Sequence, residues 1–149
     1  MSWATSMASV NTHDTVLFGG FWDGLDVEIM RRLELIDDDD FRERREQRAQ
    51  LEQALLRFLG KAQLLEGADS AMAALQGILE RLAAGPAQVL MVTLEDLWLE
   101  REPQNVPGTG DDWENWRRKA RYSMEEFTSN QDVLGTLNMI HRARQMGTS

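Results

Sequence analysis

The chain has 149 residues and 17.0 kDa, enough for one domain but too few for a complete (β/α)8 barrel, which typically needs about 250 residues. Its 42% hydrophobic and 28% charged residues are typical of a globular protein, and its net charge of −9 disfavours nucleic acid or an anionic membrane as a partner. The absence of cysteine excludes disulfides, thiolate metal sites and a cysteine nucleophile, and no signal peptide or membrane-span pattern is present. We therefore expect a soluble, cytoplasmic protein.

The first half of the chain predicts one short strand, a glycine-rich loop and three helices. The strand covers residues 7–12, and the loop at 18–24 carries bulky apolar anchors. Helices are expected at 27–36, 41–59 and 70–84, of which the last two have apolar stripes at helical spacing. The stripe residues of these two helices are Leu51, Leu55, Phe58, Leu59, Met72, Leu75, Leu79 and Leu82.

Four consecutive aspartates at 37–40 precede the second of these helices. Aspartates at this position cap free backbone N–H groups and meet the positive end of the helix dipole. Calcium loops, by contrast, alternate their ligands with other residues and include a turn glycine. We therefore interpret the run as a helix start without a bound metal, and we expect Gly60 to end the helix.

The sequence of the second half of the chain predicts one strand, a long loop and a C-terminal helix. Residues 87–94 contain four consecutive apolar residues, a pattern typical of a parallel strand covered on both faces. Residues 95–115 are rich in loop signals, Ser123 opens a capping box, and Val133, Leu137 and Ile140 form an apolar stripe. The pattern predicts an α/β fold that is mostly helical. Two parallel strands are too few for an independent sheet, so we expect the chain to be part of a larger domain.

Two segments carry residues suited to chemistry. Thr12, His13 and Asp14 lie where the first strand ends, and ligands of α/β proteins bind at the carboxyl ends of parallel strands. The alternative is that Asp14 caps a turn with His13 packed beside it. His141 lies near arginines in a late helix, where a solvated helix end is the simpler interpretation.

The loop at 102–110 is the more specific signal. Pro107 and Gly108 predict a tight turn that lets backbone approach a ligand, and Asn105 offers a donor and an acceptor suited to sugar hydroxyls. Nearby tryptophans either stack on sugar faces or pin the loop to the core. Arg117 and Arg118 are interpreted as anchors of the loop through carboxylates, rather than as a phosphate site.

These residues resemble the C-terminal quarter of the 4-α-glucanotransferase (amylomaltase) family. The matching stretches, in family order and spacing, are ASVNTHD (8–14), GFW (20–22), LEDL (94–97), EPQNVPGT (102–109) and NWRRK (115–119). The resemblance implies that residues 1–149 are the C-terminal part of a (β/α)8 catalytic domain, about its last two strands, with no separate second domain. It also implies transfer of α-1,4-glucan segments between maltooligosaccharides with retention, and no cofactor.

The resemblance also assigns roles to individual residues. Asp14 matches the carboxylate that stabilises the oxocarbenium-like transition state, and His13, Asn105, Pro107 and Gly108 fall at substrate-binding positions. The family's nucleophile and acid/base lie on earlier strands with no counterpart in this sequence, so we expect the isolated chain to be inactive. The partners implied are α-1,4-glucans and the missing N-terminal part of the barrel. The alternative is a non-catalytic, acidic, helical interaction module derived from such an enzyme.

Overall fold

The computed structural model describes residues 6–12, 14–61, 71–111 and 113–147. This part of the chain is mostly helical, as predicted. Its elements are, in chain order, β1 (Met7–Ser9), α1 (Phe18–Asp23), α2 (Leu25–Arg32), α3 (Asp38–Lys61), α4 (Ala71–Ala83), β2 (Val89–Met91), a 3-10 helix (Leu94–Trp98), α5 (Met124–Ser129) and α6 (Gln131–Gly147). No helix in the described ranges is long and apolar enough to cross a membrane.

The two strands pair in parallel, which confirms the predicted relation between them. Met7 lies opposite Val89 and Ser9 opposite Met91. Helices α1 to α4 form the connection from one strand to the other, because parallel neighbours need a long crossover. Both strands are three residues long and therefore shorter than the predicted runs.

The prediction that the second strand is covered on both faces is wrong for this chain. Val89 and Met91 remain 47% and 48% exposed, and Met7, opposite Val89, is 63% exposed. Side chains alternate between the faces of a strand, so these three share one face, while Leu90 on the other face is half-buried. The strand therefore has the predicted apolar run, but none of the described residues packs over this face.

The core lies where α1, α3, α4, the 3-10 helix and α6 meet. Its centre consists of Phe18, Leu59, Ala74, Leu75, Leu79, Leu97 and Val133, all buried. Leu75 and Leu79 are thus buried as predicted, whereas Met72 and Leu82 are only half-buried.

Helix α3 begins with the aspartate run, as predicted, but its bounds differ. One carboxylate oxygen of Asp37 accepts the backbone N–H groups of Asp39 and Asp40, at 2.9 and 2.8 Å. Capping starts the helix at Asp38, three residues before the predicted start, and the helix runs through Gly60 instead of ending there. Of its stripe, Leu59 is buried, while Leu51 and Phe58 are exposed. Leu51 borders an open apolar groove of about 710 Å³ beside β1.

The predicted glycine-rich loop is instead helix α1. Gly19 and Gly20 are buried, and a Cβ on Gly20 would lie 2.4 Å from the carbonyl oxygen of Arg101. These glycines are therefore required by a close backbone approach and not by a flexible turn. Helix α2 ends at Arg32, four residues before the predicted end.

The C-terminal helices follow the sequence signals in part. Ser123 forms the predicted capping box with Glu126, at 3.3 Å and 2.8 Å for the two reciprocal hydrogen bonds. In α6, Val133 is buried as predicted, but Leu137 is exposed. Thr136 takes the buried position, because its hydroxyl accepts a 2.9 Å hydrogen bond from the side chain of Gln76 on α4.

Candidate functional site

The carboxyl ends of β1 and β2 lie at the same edge of the sheet, because the strands are parallel. Asp14 follows β1 and Asn105 lies on the loop after β2. The side-chain nitrogen Nδ2 of Asn105 donates to Oδ1 of Asp14 at 3.2 Å, across 91 positions of the chain. The structure therefore brings together two of the predicted site residues.

Asp14 and Asn105 line a cavity of about 310 Å³. Its walls are mostly apolar, and its other lining residues include Ile29, Met30, Pro103 and Pro107. Apolar walls with a few convergent polar groups are typical of small-molecule sites. His13 lies outside the described residues.

The turn at 106–109 has the predicted Pro-Gly geometry. Pro107 is followed by Gly108 at φ 85°, and the backbone N–H of Thr109 donates to the carbonyl of Val106 at 3.2 Å. Proline at the second position and positive φ at the third are the signature of a type II turn. Both Pro107 and Gly108 are exposed, so the turn presents its backbone to solvent.

Asn115 fastens this turn from across the loop. Its Oδ1 accepts the backbone N–H of Val106 at 2.8 Å, and its Nδ2 donates to the Thr109 hydroxyl at 2.9 Å. The next residue, Trp116, donates its backbone N–H to the carbonyl of Gln104 at 2.8 Å. The position of Asn105 is therefore fixed by hydrogen bonds on both sides of it in the chain.

The two loop tryptophans are placed differently. Trp113 is half-buried, and the Arg32 guanidinium lies 4.9 Å from its ring centroid, which ties the loop to the end of α2. Trp116 is exposed and has a positive φ of 61°. Trp113 thus acts as an anchor, one of the two roles that the sequence left open.

Arg118 is an anchor, as predicted, and its partner is Glu100. Glu100 is 4% exposed, and its Oε2 lies 3.3 Å from Arg118 Nη1 and 3.4 Å from Arg121 Nε. Its Oε1 accepts the backbone N–H of Arg101 at 3.0 Å. Burial acts to raise the pKa of Glu100, but the N–H of Arg101 and the charges of the two arginines outweigh it, and the pKa is lowered.

Asp96 is the second buried carboxylate after β2. Its Oδ1 accepts the backbone N–H of Phe18 at 2.7 Å, and its Oδ2 accepts the side-chain amide of Asn11 at 2.6 Å. The hydroxyl of Thr93 donates to Oδ1, the side-chain amide oxygen of Asn11. Burial raises the pKa of Asp96 and exceeds the opposing effect of its two hydrogen bonds.

The sequence pattern alone indicated no role for Asp96, Glu100 or Asn115. All three lie within or beside the stretches that carry the family resemblance, but burial of a carboxylate depends on chain segments far away in sequence. The signal that indicates the two carboxylates is their spacing as an acidic pair, Asp96 and Glu100, on a segment of predicted loop between apolar residues. Among the described residues no three histidine, aspartate or glutamate side chains form a group that could hold a metal ion.

The described part of the chain is thus an α/β arrangement of parallel strands joined through helices, and two polar side chains meet on the side of the sheet where ligands of α/β proteins bind. Residues 3–125 match the family model described as 4-alpha-glucanotransferase, and the chain belongs to this family.

Curated relatives carry the same description. The chain is 26% identical over 148 residues to a 4-alpha-glucanotransferase of Haemophilus influenzae, covering 93% of this chain and 21% of that protein. It is 30% identical over 112 residues to 4-alpha-glucanotransferases of Mycobacterium bovis and Mycobacterium tuberculosis, covering 74% of this chain and 16% of each relative. The chain thus spans about a fifth or less of the length of these relatives.

Proposed function

We propose that this chain provides one edge of the substrate site of a 4-α-glucanotransferase. In this proposal its two strands are the last two of a (β/α)8 barrel whose remaining strands come from the missing N-terminal part. The completed protein transfers α-1,4-glucan segments between maltooligosaccharides with retention. The observation that carries the proposal is the 3.2 Å contact between Asn105 and Asp14, on the loops that follow the two paired strands, in a chain that belongs to this family.

The chemistry of the pair suits a pyranose ring. A carboxylate accepts hydrogen bonds from neighbouring hydroxyls, and charge-assisted bonds of this kind are the stronger ones. The Asn105 amide both donates and accepts, so it can bind a hydroxyl while it supports Asp14. Asp14 then binds the ring hydroxyls of the reacting sugar as the oxocarbenium-like state forms. In this proposal His13 donates a hydrogen bond to the same sugar, and the turn at Pro107 and Gly108 contacts the substrate through its backbone.

The same proposal makes the isolated chain inactive. Retaining glycosyl transfer requires a nucleophilic carboxylate and an acid/base carboxylate about 5 Å apart. The family resemblance assigns both to strands that precede this sequence. The purified chain should bind maltoheptaose weakly and should release no glucose from maltotriose, and glucose release above that of an Asp14→Ala control would contradict this assignment.

A fusion tests the role of Asp14. The chain replaces the matching segment of the Haemophilus influenzae relative, and disproportionation of maltotriose is measured. Because Asp14 contacts the sugar mainly in the transition state, Asp14→Ala should lower kcat by roughly two to four orders of magnitude with a small change in KM. Asn105→Ala should lower kcat less and raise KM more, because a neutral side chain binds ground and transition states similarly.

Asp132→Ala is the matched control, since Asp132 is an exposed aspartate in the first turn of α6, outside the cavity. It should leave kcat unchanged. If Asp14 only caps a turn, Asp14→Ala should instead lower the melting temperature and leave kcat near normal. That result would overturn the proposed role.

A non-catalytic interaction module is the second candidate function. The exposed apolar face of Met7, Val89 and Met91 favours it, because such faces mark contacts with other proteins. The two candidates differ in the fusion experiment. If the chain is an interaction module, the fusion is inactive. The nuclear magnetic resonance signals of Asp14 and Asn105 in the chain then do not change on titration with maltoheptaose.

A further inference from the structure

Asp96 and Glu100 hold the two loops that meet at the Asp14–Asn105 contact, each at the loop's base, that is, at its first and last residues. They lie four positions apart on the segment that follows β2, and both are buried. Neither lines the cavity. Each of them binds both ends of one loop, as the hydrogen bonds show.

Asp96 holds the loop that carries Asp14. One oxygen of its carboxylate accepts the N–H of Phe18, and the other accepts the side-chain amide of Asn11, at 2.7 and 2.6 Å. Asp14 lies between Asn11 and Phe18 in the chain. A single carboxylate therefore fixes the residue at which this loop leaves the first strand and the residue at which it enters α1.

Glu100 holds the loop that carries Asn105 in the same manner. Its Oε1 accepts the N–H groups of Arg101 and Glu102, at 3.0 and 3.4 Å, where this loop begins. Its Oε2 lies 3.3 Å from Arg118, where the loop ends. Arg118 also donates to the carbonyl of Glu102, so the two ends of the loop are joined directly as well.

The bases of the two loops are packed against each other. A Cβ on Gly19 would lie 2.8 Å from the carbonyl oxygen of Leu99, and one on Gly20 would lie 2.4 Å from that of Arg101. Leu99 itself has a positive φ of 51°. The first turn of α1 thus lies against the backbone between Asp96 and the start of the Asn105 loop.

We propose that Asp96 and Glu100 are positioning residues that hold the two loops so that Asp14 and Asn105 are in hydrogen-bond contact before any ligand binds. The nature of that ligand, an α-1,4-glucan, rests on the proposed function. The positioning itself concerns the ligand-free chain.

Nuclear magnetic resonance of the ¹⁵N-labelled chain, without ligand, tests the proposal. The readout is the side-chain amide of Asn105, whose signals report its hydrogen bond to Asp14, and Asp14→Ala gives their position when that bond is lost. In Asp96→Ala and Glu100→Ala the Asn105 signals should move to the Asp14→Ala position. Val133→Ala, at a buried position of α6, is the control: it should lower the melting temperature and leave these signals in place.

The conservative variants should behave differently at the two positions. Asp96→Asn should keep the wild-type Asn105 signals. The oxygen of the new amide still accepts the N–H of Phe18, and its nitrogen can donate to the side-chain oxygen of Asn11 once the Asn11 amide rotates by half a turn. The nitrogen of Asn11 then donates to the Thr93 hydroxyl, which accepts instead of donating. Glu100→Gln should not keep them, because both oxygens of Glu100 face donors and an amide nitrogen cannot accept from Arg118 or Arg121. If Asp96→Ala does not fold, Asn11→Ala, which removes one of its two contacts, should move the signals part of the way.

Unchanged Asn105 signals in folded Asp96→Ala or Asn11→Ala, together with unchanged signals in Glu100→Gln, would overturn the proposal. Equal movement in Val133→Ala would also overturn it, because the effect would then follow from lost stability alone. A separate titration with maltoheptaose tests the proposed function. If the sugar leaves the wild-type signals unmoved while the variants behave as expected, the proposed function fails and the positioning role stands.

Discussion

At the scale of single residues, Gly20 shows how closely two backbone segments approach beside the site. The nearest atom to an added Cβ is the carbonyl oxygen of Arg101, at 2.4 Å, which is part of the backbone and cannot turn aside. We expect Gly20→Ala to lower the free energy of unfolding by about 1–3 kcal/mol, the usual cost of overpacking. Denaturant unfolding measures this change.

Gly135 provides the matched control for Gly20. It lies in α6, and a Cβ there would meet no atom within 4 Å. Gly135→Ala should therefore raise the free energy of unfolding by about 0.5–1 kcal/mol, because alanine loses less entropy than glycine on entering a helix. A loss of stability at Gly135 similar to that at Gly20 would contradict the steric explanation.

The two buried carboxylates should give opposite dependences of stability on pH. The pKa of Glu100 is lowered in the folded chain, so its stabilisation is present above its unfolded pKa of about 4.3 and is lost as the pH falls through the folded pKa. The pKa of Asp96 is raised, so its contribution is greatest below its unfolded pKa of about 3.9 and is lost as the pH rises through the folded pKa.

Denaturant unfolding between pH 3 and pH 7 measures both effects against the neutral variants. Glu100→Gln should be less stable than the wild type at pH 7, and the difference should shrink as the pH falls below about 4. For Asp96→Asn the stability of the wild type relative to the variant should fall as the pH rises from about 4. Parallel curves for the wild type and either variant would show that the carboxylate in question does not have the shifted pKa.

At the scale of elements, Arg48 joins α3 to α1 and α2. Its guanidinium forms a bidentate pair with Asp26, at 2.9 and 2.7 Å, and donates to the carbonyl of Phe21, whose ring centroid lies 3.7 Å away. A lysine cannot reproduce this planar geometry. We expect Arg48→Lys to lower the free energy of unfolding by roughly 1–3 kcal/mol.

Arg42→Lys is the control at the surface of the same helix. Arg42 pairs with Asp39 one turn away, and both side chains are largely exposed. Exposed pairs of this kind contribute little, so the change should stay within about 0.5 kcal/mol. Equal losses at Arg42 and Arg48, measured by thermal or denaturant unfolding, would show that the contacts of Arg48 do not join α3 to its neighbours.

The elements also show how far the sequence could predict this fold. The caps at Asp37 and Ser123 were predictable because they depend on neighbours within three or four residues. Helix α1 was not, since its two glycines indicate a loop, and only the backbone of residues 99–101 explains them. The contact of Asp14 with Asn105 lies between these cases: strand order predicted a shared edge, but the distance depends on the buried carboxylates.

At the scale of the whole molecule, the two-stranded sheet leaves one apolar face exposed. Three positions of one face, Met7, Val89 and Met91, are apolar and about half or more exposed. Beside β1, the groove that Leu51 and Leu55 border is also lined mainly by apolar residues. Two strands seldom form an independently stable sheet, so helices α1 to α6 supply most of the stability of this chain.

The exposed face of the sheet leads to a prediction about association. Apolar strand faces and unpaired edges favour contacts between chains, so we expect the purified chain to self-associate with rising concentration despite its net charge of −9. Replacing both Val89 and Met91 with threonine removes apolar surface while keeping a residue favoured in strands. In sedimentation equilibrium this double variant should shift towards the monomer, with a melting temperature close to that of the wild type because both side chains are already about half exposed.

Two further variants separate the sheet face from general surface hydrophobicity. Met124→Thr changes a methionine of α5 that is 69% exposed and lies outside the sheet, and it should leave the self-association unchanged. Leu90→Thr changes the half-buried face of β2, so it should lower the melting temperature without shifting the chain towards the monomer. A wild-type chain that stays monomeric at high concentration, or a double variant that associates as strongly as the wild type, would show that this face does not drive association.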